Sequence, residues 1–468
     1  MFYHQSISPL YTDLYQLTMA QAYFQNQMHE QQAGFDYFFR KIPNKGGYVV
    51  FAGLQELLQL IRDLRFQDAD LQYLKDEGFD PAFLDYLEDF RFTGSIYAFR
   101  EGDVVFPFEP VARVEGNLIE TQLVETLLLN VLNFQSLIAT KASRIRYAAG
   151  NKVLSDFGLR RAQSFGAVQA SRAAIIGGFN NTSNVLASKK YNIPHAGTMA
   201  HSFIESFGDE LKAFRAYAKA FPKNSVFLVD TYSTLRSGMT NAVTVAKEME
   251  SRGEKLQGVR LDSGDLAYLS KKAREILDYD GLDDIKIVVS NQLDEYVIKS
   301  LLEQQAPIDV FGVGTSLITG KPDAALDGVY KLSFVQDNAV LKISDNLQKT
   351  TLPGRKKVLR YFDRDGMFYA DAIVRSDESD IDRMIHPFEK HKSLCLTDLR
   401  YEEVYSTAMR KGEVVTKMEN PQDIHQRLLT RLNLLPVEHQ RFDFPHIYKV
   451  GISDKIMKTR DQLLLKHR

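Results

Sequence analysis

Apolar residues in the first part of the chain recur first at helical spacing and then at strand spacing. From Leu10 to Phe24, Leu54 to Leu64 and Asp68 to Phe90, apolar side chains stand three or four residues apart, which predicts helices. Between Thr93 and Gly116, short apolar runs alternate with glycine and proline, as in short strands joined by turns. We therefore predict an N-terminal α+β domain with a small β unit over residues 1–134.

A regular alternation of short apolar runs and longer, mostly helical stretches occupies residues 135–335. The runs are Lys152–Asp156, Ala173–Gly177, Ile193–Gly197, Val226–Asp230, Gly258–Asp262, Ile285–Asn291 and Ile308–Gly314. Strand–helix repetition of this kind requires right-handed parallel crossovers, so it indicates an α/β barrel or a doubly wound sheet. Seven repeats favour the barrel, and we predict that this segment is the catalytic domain.

Most of these runs end in a polar residue or a glycine. The terminal residues are Asp156, Gly177, Gly197, Asp230, Asp262, Asn291 and Gly314. Because α/β barrels place their chemistry at the carboxyl ends of the strands, we expect the functional site there.

The alternation stops after residue 335, and the pattern changes to hairpins. Residues 330–344 read as a hairpin that turns at Asp337-Asn338, and residues 358–371 as another that turns at Asp365-Gly366. Residues 415–468 are charged and mostly of helical pattern. We predict a C-terminal extension of hairpins and helices over residues 336–468.

Composition excludes several classes of protein. With 58 Lys+Arg against 60 Asp+Glu, the net charge of −2 argues against a protein that binds nucleic acid over a broad surface. The one cysteine, Cys395, cannot form an internal disulfide or a cysteine zinc site, which fits a reducing compartment. The N-terminus lacks the pattern of an export signal, and no apolar run approaches the ~18 residues of a membrane span. We expect a cytoplasmic protein with no membrane contact.

A glycine-rich turn follows the last apolar run of the alternation. From Gly314 it reads G-x5-G-K-P, one residue longer than a P-loop, with Pro322 where a magnesium-binding hydroxyl would stand. Backbone N–H groups of such a turn, with Thr315 opening a helix, can hold a phosphate. A tight strand–helix turn without a ligand is the alternative.

Charged residues near the strand ends are candidates for binding. Arg160 and Arg161 follow an aromatic residue, Phe157, and would suit a flat anion, although two arginines can equally be solvent-exposed. Arg260 stands in an otherwise apolar run, where it could bind a carboxylate bidentately. Asp262 and Asp265 follow it, and could reach hydroxyl groups or Mg²⁺.

His201 lies just past the run Ile193–Gly197, in a turn that contains glycine and threonine. This placement is compatible with a catalytic histidine and equally with a hydrogen-bonded loop residue. His195 precedes it by six residues, which is not a recognised metal-binding spacing.

Nine segments together carry a resemblance to a known family. In chain order they are Thr12–Gln16, Phe38–Pro43, Glu115-Gly116, Asp156–Arg161, Gly197–Ser202, Asp230–Tyr232, Gly258–Asp265, Val289–Asn291 and Gly312–Ser316. A single one of them is a weak signal, but in this order they closely resemble the nicotinate phosphoribosyltransferases. Thr351–Arg355 is similar to a further family segment, and little after residue 370 is similar.

The resemblance implies an irregular parallel α/β barrel of the type II phosphoribosyltransferase kind. It also implies a reaction that joins nicotinate to 5-phosphoribosyl 1-diphosphate, giving nicotinate mononucleotide and diphosphate for NAD synthesis. The family couples this reaction to ATP hydrolysis through a phosphohistidine. The pyridine nitrogen has a free lone pair, so the site must position it against the ribose carbon and stabilise the departing diphosphate rather than supply a base.

The resemblance assigns roles to the candidate residues. Phe157 would stack on the pyridine ring, with Tyr15 of a neighbouring subunit on the other face, so a homodimer is implied. Arg260 and Thr198 would contact nicotinate, and His201 would carry the phosphoryl group. The groups expected at phosphates are Arg160, Thr315 and the amides of Gly312 and Gly314, and Arg161 would also bind substrate. Asp262 and Asp265 would hold ribose hydroxyls or Mg²⁺.

Ser183 bears on the choice among relatives. The amide-using sister enzymes carry Thr-Asp-Thr where this chain has Thr182-Ser183-Asn184. An aspartate there would accept a hydrogen bond from a carboxamide and repel a carboxylate. Nicotinate is therefore favoured over nicotinamide, whose phosphoribosyltransferase is one alternative.

Two further classes of function compete with this interpretation. A phosphosugar lyase or isomerase on a barrel would explain the alternation, but would want a lysine or a carboxylate base at a strand end, and no strand-end lysine is evident. A binding module without catalysis would not need His201, Arg260 and Asp262 together.

Overall fold

The computed structural model describes residues 7–346 and 349–466. Its α-helices are α1 (Leu14–Gln25), α2 (Leu54–Arg62), α3 (Asp68–Asp76), α4 (Pro81–Glu88), α5 (Leu118–Leu123), α6 (Glu125–Ala149), α7 (Gly166–Ile176), α8 (Val185–Tyr191), α9 (His201–Phe207), α10 (Glu210–Ala220), α11 (Met239–Glu250), α12 (Leu266–Tyr279), α13 (Glu295–Glu303), α14 (Thr315–Ile318), α15 (Pro421–Leu434) and α16 (Asp454–Lys466). Its strands are β1 (Gln32–Phe39), β2 (Val49–Val50), β3 (Ser95–Ala98), β4 (Val104–Val105), β5 (Ala112–Asn117), β6 (Val153–Asp156), β7 (Asn181–Thr182), β8 (Val226–Leu228), β9 (Gly258–Leu261), β10 (Lys286–Ser290), β11 (Val310–Val313), β12 (Gly328–Val335), β13 (Asn338–Ala339), β14 (Lys356–Phe362), β15 (Phe368–Arg375), β16 (Arg383–Ile385), β17 (Ser393–Cys395), β18 (Tyr401–Glu403), β19 (Ser406–Arg410), β20 (Glu413–Val414) and β21 (Val450–Ile452).

The chain forms two compact units. The first unit consists of Met1–Leu137, Ala325–Glu419 and Gln426–Arg468, and the second of Ile138–Ala324 and Asn420–His425. These units follow spatial contacts, whereas the division into 1–134, 135–335 and 336–468 follows the order of patterns along the chain. That division stays a prediction.

The first unit contains a seven-stranded sheet in the order β13-β12-β1-β5-β3-β19-β20. Its strand β1 pairs antiparallel with β5 and with β12, so Ala33 faces Val335 across the ladder. Phe35 of β1 and Tyr330 of β12 are both buried, and their stacked ring centroids are 4.7 Å apart. The sheet therefore joins segments that are far apart in sequence. A second sheet has the order β17-β16-β21-β15-β14-β18.

Two predictions for the first unit, its N-terminal helices and the positions of its hairpin turns, are confirmed with one shift. The helical spacing of the N-terminal segment corresponds to α1 to α4, and the hairpin of β14 and β15 turns over Asp365-Gly366 as predicted. In the other hairpin Val335 pairs with Asn338, so the turn lies at Gln336-Asp337, one residue earlier than predicted. Gln336 adopts φ +52°, a left-handed conformation that this tight turn requires.

The second unit is built on a six-stranded parallel sheet in the order β7-β6-β11-β10-β9-β8. Five of the seven predicted runs are its strands β6, β8, β9, β10 and β11. The parallel α/β architecture is therefore confirmed. Over residues 7–346 and 349–466, the hydrogen-bonded order ends at β7 on one side and at β8 on the other.

Two of the predicted strand runs are wrong. Ala173–Gly177 lies at the end of α7, and the strand that follows is the short β7. Residues 173–176 are all buried, so this part of the helix shows the continuous apolar run that is typical of a buried parallel strand. Ile193–Gly197 forms a single parallel bridge, between His195 and Thr182.

One helical stretch in the described chain, Leu118–Ala149, is long and apolar enough to cross a membrane, yet 72% of its most apolar 18-residue window is buried inside the protein. Two of its charged residues, Lys141 and Arg144, contact the buried carboxylate of Glu295 at 2.5 and 3.2 Å. This stretch is therefore a core helix.

Candidate active site

Arg260 is the centre of a hydrogen-bonded cluster at the carboxyl end of the parallel sheet. Its Nε donates to Ser290 Oγ, its Nη1 to Thr198 Oγ1 and its Nη2 to Asp262 Oδ1, each at 2.9 Å. Nη1 also lies 3.4 Å from the carbonyl oxygen of Met199. The structure thus brings together Arg260, Thr198 and Asp262, three residues that the sequence proposed for the site.

These bonds change the expectation that Arg260 binds a carboxylate bidentately. A guanidinium has five N–H groups, and the four bonds to described residues leave one, on Nη2. In this arrangement Arg260 offers an incoming carboxylate its charge and a single N–H.

Phe157 follows β6, which pairs with β11, and its ring faces the Arg260 guanidinium. Its N–H donates to the carbonyl of Val313 at 2.9 Å, and the Arg260 guanidinium carbon is 5.6 Å from its ring centroid. A Cβ on Gly312 would lie 2.5 Å from the Phe157 ring, so only glycine leaves room for the ring. Gly314 is also close, because its Cβ would lie 3.3 Å from the Phe157 carbonyl oxygen.

Asp156 organises the turn that presents Phe157. It is fully buried and accepts hydrogen bonds from Gly158 N at 2.9 Å and from the hydroxyls of Ser171 and Thr182 at 2.7 Å. Burial raises the pKa of the Asp156 carboxyl above its usual value, and these donors oppose the rise. Ser183, half-buried, donates its N–H to the Asp156 carbonyl at 2.8 Å and is thereby held next to Phe157 in the fold.

His201 begins α9 on the other side of Asp262. Its Nδ1 lies 3.1 Å from Thr231 Oγ1, and its Nε2 lies 3.8 Å from Asp262 Oδ2. Asp262 therefore faces Arg260 with one carboxylate oxygen and His201 with the other. Its backbone N–H donates to Asp230 Oδ2 at 2.8 Å.

Three residues of this cluster had no role in the sequence prediction. Ser290 bridges Arg260 and Asp262, Thr231 contacts His201, and Asp230 accepts from the Asp262 backbone and from the Ser263 hydroxyl. Each of the three is the last residue of a predicted run or stands next to it, and all three lie in segments that carry the family resemblance; these positions were the available signals.

The backbone at the same edge is strained after β10. Asn291 and Gln292 adopt φ of +87° and +48°, conformations that are rare in residues other than glycine. Such strain concentrates at functional sites.

Other predicted residues lie outside the Arg260 cluster, and among the described residues no hydrogen bond or ion pair links Asp265, Arg160, Arg161 or Thr315 to the cluster. Asp265 caps α12 by accepting from Tyr268 N at 3.0 Å. Arg160 and Arg161 are exposed on a 3-10 turn, and Thr315 is exposed at the start of α14. Tyr15 lies in α1 of the first unit and is 48% exposed.

Comparisons with known proteins identify the family of the chain. The model of the nicotinate phosphoribosyltransferase (NAPRTase) family matches residues 153–392, and the models of its N-terminal and C-terminal domains match residues 10–133 and 355–460. The chain is 45% identical to the nicotinate phosphoribosyltransferase of Bacillus subtilis over 97% of this chain and 94% of that one. It is 32% identical to the enzyme of that name from Bos taurus over 97% and 96% of the two chains.

Solved structures extend the comparison to the fold. The crystal structure of human nicotinic acid phosphoribosyltransferase is similar with a TM-score of 0.87 and 30% identity, covering 97% of this chain and 99% of that chain. Nicotinate-nucleotide pyrophosphorylase from Pyrococcus furiosus is similar with a TM-score of 0.72 and 25% identity, covering 91% and 95%. The chain belongs to the nicotinate phosphoribosyltransferase family.

Proposed function

We propose that this protein joins nicotinate to 5-phosphoribosyl 1-diphosphate, giving nicotinate mononucleotide and diphosphate in the salvage of NAD. ATP hydrolysis, general in the family, would be coupled to the reaction. The observation that supports this most is the Arg260 guanidinium held 5.6 Å from the Phe157 ring at the carboxyl end of the sheet. A flat aromatic carboxylate fits such a pair, because the ring can stack while the anion meets the cation.

The proposed chemistry asks little of the side chains beyond placement and charge. Phe157 would orient the pyridine ring, and Arg260 and Thr198 would hold the carboxylate end. The ring nitrogen would attack the ribose anomeric carbon with its lone pair as the bond to diphosphate breaks. Neither event requires removal of a proton by the protein.

The phosphoribosyl group would occupy the neighbouring strand ends. The proposed phosphate-binding groups are Arg160, Arg161, Thr315 and the backbone amides of Gly312 and Gly314. Asp262 and Asp265 would accept hydrogen bonds from ribose hydroxyls. Asp265 is exposed at the N-terminus of α12, which leaves it accessible to a substrate.

Mg²⁺ belongs to the proposal as a partner of the substrate phosphates. No group of three or more His, Cys, Asp or Glu side chains in the described chain could hold a metal by itself. A Mg²⁺ ion that binds substrate phosphates needs only one or two carboxylates, and Asp262 with Asp230, whose Oδ1 is buried without a partner among the described residues, fits this need. When bound, Mg²⁺ supplies positive charge that stabilises the leaving diphosphate.

His201 would carry the phosphoryl group. Because Thr231 occupies the Nδ1 side of the ring, Nε2 is the nitrogen that would attack the γ-phosphorus of ATP. An N–P bond forms, the bond to ADP breaks, and water later hydrolyses the phosphohistidine.

The architecture and assembly are part of the same proposal. We infer that the sheet curls into an irregular barrel. The bridge between Thr182 and His195 places the following segment at the β7 edge of the sheet. This segment supplies Thr198 and His201, which contact Arg260 and Thr231 at the opposite, β8–β9 edge. Contacts between the two edges support the inference that the sheet curls. We also propose a cytoplasmic homodimer and the three-segment division at residues 134 and 335.

Labelled nicotinate incubated with 5-phosphoribosyl 1-diphosphate, with and without ATP, tests the activity. We expect labelled nicotinate mononucleotide, formed faster with ATP, and little product from labelled nicotinamide. An Arg260→Ala variant should show a nicotinate KM about ten- to a hundredfold higher, because a charge-assisted bond is lost. Product from nicotinamide instead of nicotinate would favour the amide-using alternative, and no nucleotide from either would refute both.

A further inference from the structure

The hydroxyl of Ser290 bridges Arg260 and Asp262, which form an ion pair. It is the last residue of β10 and only 3% exposed. Its hydroxyl oxygen accepts from Arg260 Nε at 2.9 Å, and its O–H donates to Asp262 Oδ1. A buried hydroxyl with a cation on one side and an anion on the other is held in one orientation by both.

The sheet register determines why a small residue stands here. Arg260 pairs with Val288 across β9 and β10, so Arg260 and Ser290, two residues after Val288, point to the same face. Ser290 in turn pairs with Gly312 of β11, the glycine that leaves room for the Phe157 ring. Ser290 thus lies in the same row as the aromatic and cationic parts of the site.

We infer that Ser290 is a positioning residue that, together with Asp262, fixes the Arg260 guanidinium for recognition of the substrate carboxylate. This inference rests on the proposed function. By holding Nε, Ser290 prevents rotation of the guanidinium plane. Together with Thr198, Met199 and Asp262, it directs the one remaining N–H of Arg260.

The inference predicts a particular kinetic pattern. The carboxylate of nicotinate is remote from the ring nitrogen that reacts, so its contact with Arg260 is equally strong in the ground state and the transition state. Loss of such a contact raises KM and leaves kcat unchanged. We expect Ser290→Ala to raise the nicotinate KM about tenfold with kcat within about twofold, because a hydrogen bond to a charged group is lost. Use of nicotinamide, which has no anionic group, should change less.

A double-mutant cycle tests whether Ser290 acts through Arg260. Lysine at position 260 keeps the positive charge but has no N–H at the Nε position. Ser290→Ala should therefore add at most about twofold to the KM of Arg260→Lys. If the increase in KM of the double variant equals the product of the increases in the two single variants, Ser290 acts independently of Arg260 and the inference is overturned.

Two comparisons separate positioning from general damage to the fold. Threonine and valine have nearly the same shape, so Ser290→Thr should keep a KM about tenfold below that of Ser290→Val, and this comparison stands if the alanine variant does not fold. Ser225 is another buried serine, before β8, and its hydroxyl donates to the Phe221 carbonyl at 2.8 Å. Ser225→Ala should leave both kinetic constants unchanged.

The outcomes for the inference and for the proposed function are distinct. An unmodified protein that forms no nucleotide from nicotinate would refute the proposed function. An active unmodified protein, with equal nicotinate KM in Ser290→Thr and Ser290→Val, would refute the positioning role alone.

Discussion

Gly312 shows how one absent side chain shapes the candidate site. A methyl group there would overlap the Phe157 ring at 2.5 Å, and a rigid aromatic ring can respond only by moving. We expect Gly312→Ala to raise the nicotinate KM about tenfold, because a stacking face worth about 1–1.5 kcal/mol is displaced. Steady-state kinetics would measure this change.

Gly197 provides the matched control for that substitution. An added Cβ at Gly197 would meet no atom within 4 Å, so Gly197→Ala should behave like the unmodified protein. Equal KM values for the two alanine variants would show that the Phe157 ring is not part of the nicotinate site.

Ser183 gives a prediction about specificity. Its backbone is fixed by the hydrogen bond to the Asp156 carbonyl, so Ser183→Asp should place a carboxylate near the bound ring without moving the chain. Repulsion between two anions should lower the nicotinate-to-nicotinamide ratio of kcat/KM by about fivefold or more. Ser183→Asn, which has the same shape without the charge, should shift the ratio much less, and competition assays with both substrates would show whether the two variants differ.

The sequence could predict the charged members of the site but not their partners. Arg260 was recognisable because a cation in an apolar strand has no packing role, and Asp262 because it ends that strand. Ser290 contacts Arg260 only through the register of β9 and β10, in which Arg260 pairs with Val288. Residue periodicity does not specify register between strands, so serines at strand ends could not be ranked.

At the scale of elements, α9 begins with His201, the proposed carrier of the phosphoryl group, and phosphorylation of this residue can be tested directly. Incubation with γ-labelled ATP should label the protein in an acid-labile, base-stable linkage. His201→Ala should abolish the label and the stimulation by ATP. His195, six residues earlier and exposed, is the control: His195→Ala should retain both. Full labelling of the His201 variant would assign the phosphoryl group elsewhere.

The burial of His425 against α7 should make the second unit sensitive to acid. Burial lowers the pKa of His425 below its usual value of about 6.5, and Arg146 adds to the decrease. The hydrogen bond between His425 Nδ1 and the Ile176 carbonyl, at 3.0 Å, opposes part of this decrease. Below about pH 6.5, His425 binds more protons in the unfolded chain than in the folded one. The stabilisation by neutral His425 is therefore complete above about pH 6.5 and is lost as the pH falls through the lowered pKa.

Melting temperatures between pH 7.5 and 5.0 would check this effect. His425→Gln keeps an N–H donor but cannot titrate, so its melting temperature should fall less steeply towards pH 5 than that of the unmodified protein. Parallel curves would mean that His425 does not contribute to the acid sensitivity.

The limits of sequence-based prediction are clearest in α7. Its apolar residues are buried on several faces, and a helix of this kind has the same pattern as a buried strand. The strand that the sequence predicted at Ala173–Gly177 is instead β7, which follows α7 and has only two residues and no apolar run. The five longer strands were predictable because β-branched runs bounded by polar turns left no helical alternative.

At the scale of the whole molecule, the proposed homodimer makes a complementation prediction. Tyr15 and Phe157 would contribute to one site from different subunits, so Tyr15→Ala and Phe157→Ala homodimers should both be weak. A mixed dimer would have one site with both substitutions and one with neither. Purified heterodimers should therefore recover about half of the unmodified activity. Heterodimers no more active than their parents would place Tyr15 in its own subunit's site or outside it.

The pairing of β1 with β12 has a consequence for synthesis on the ribosome. β12 is translated on the order of 300 residues after β1, which at about 5–20 residues per second takes about 15 to 60 s. During this time β1 cannot form its ladder with β12. Meanwhile nearly all of the second unit emerges as one continuous segment. A chain that stops before residue 328 would leave open edges on β1 and β3, and such edges pair with other chains. Premature termination should therefore yield aggregates rather than a smaller enzyme.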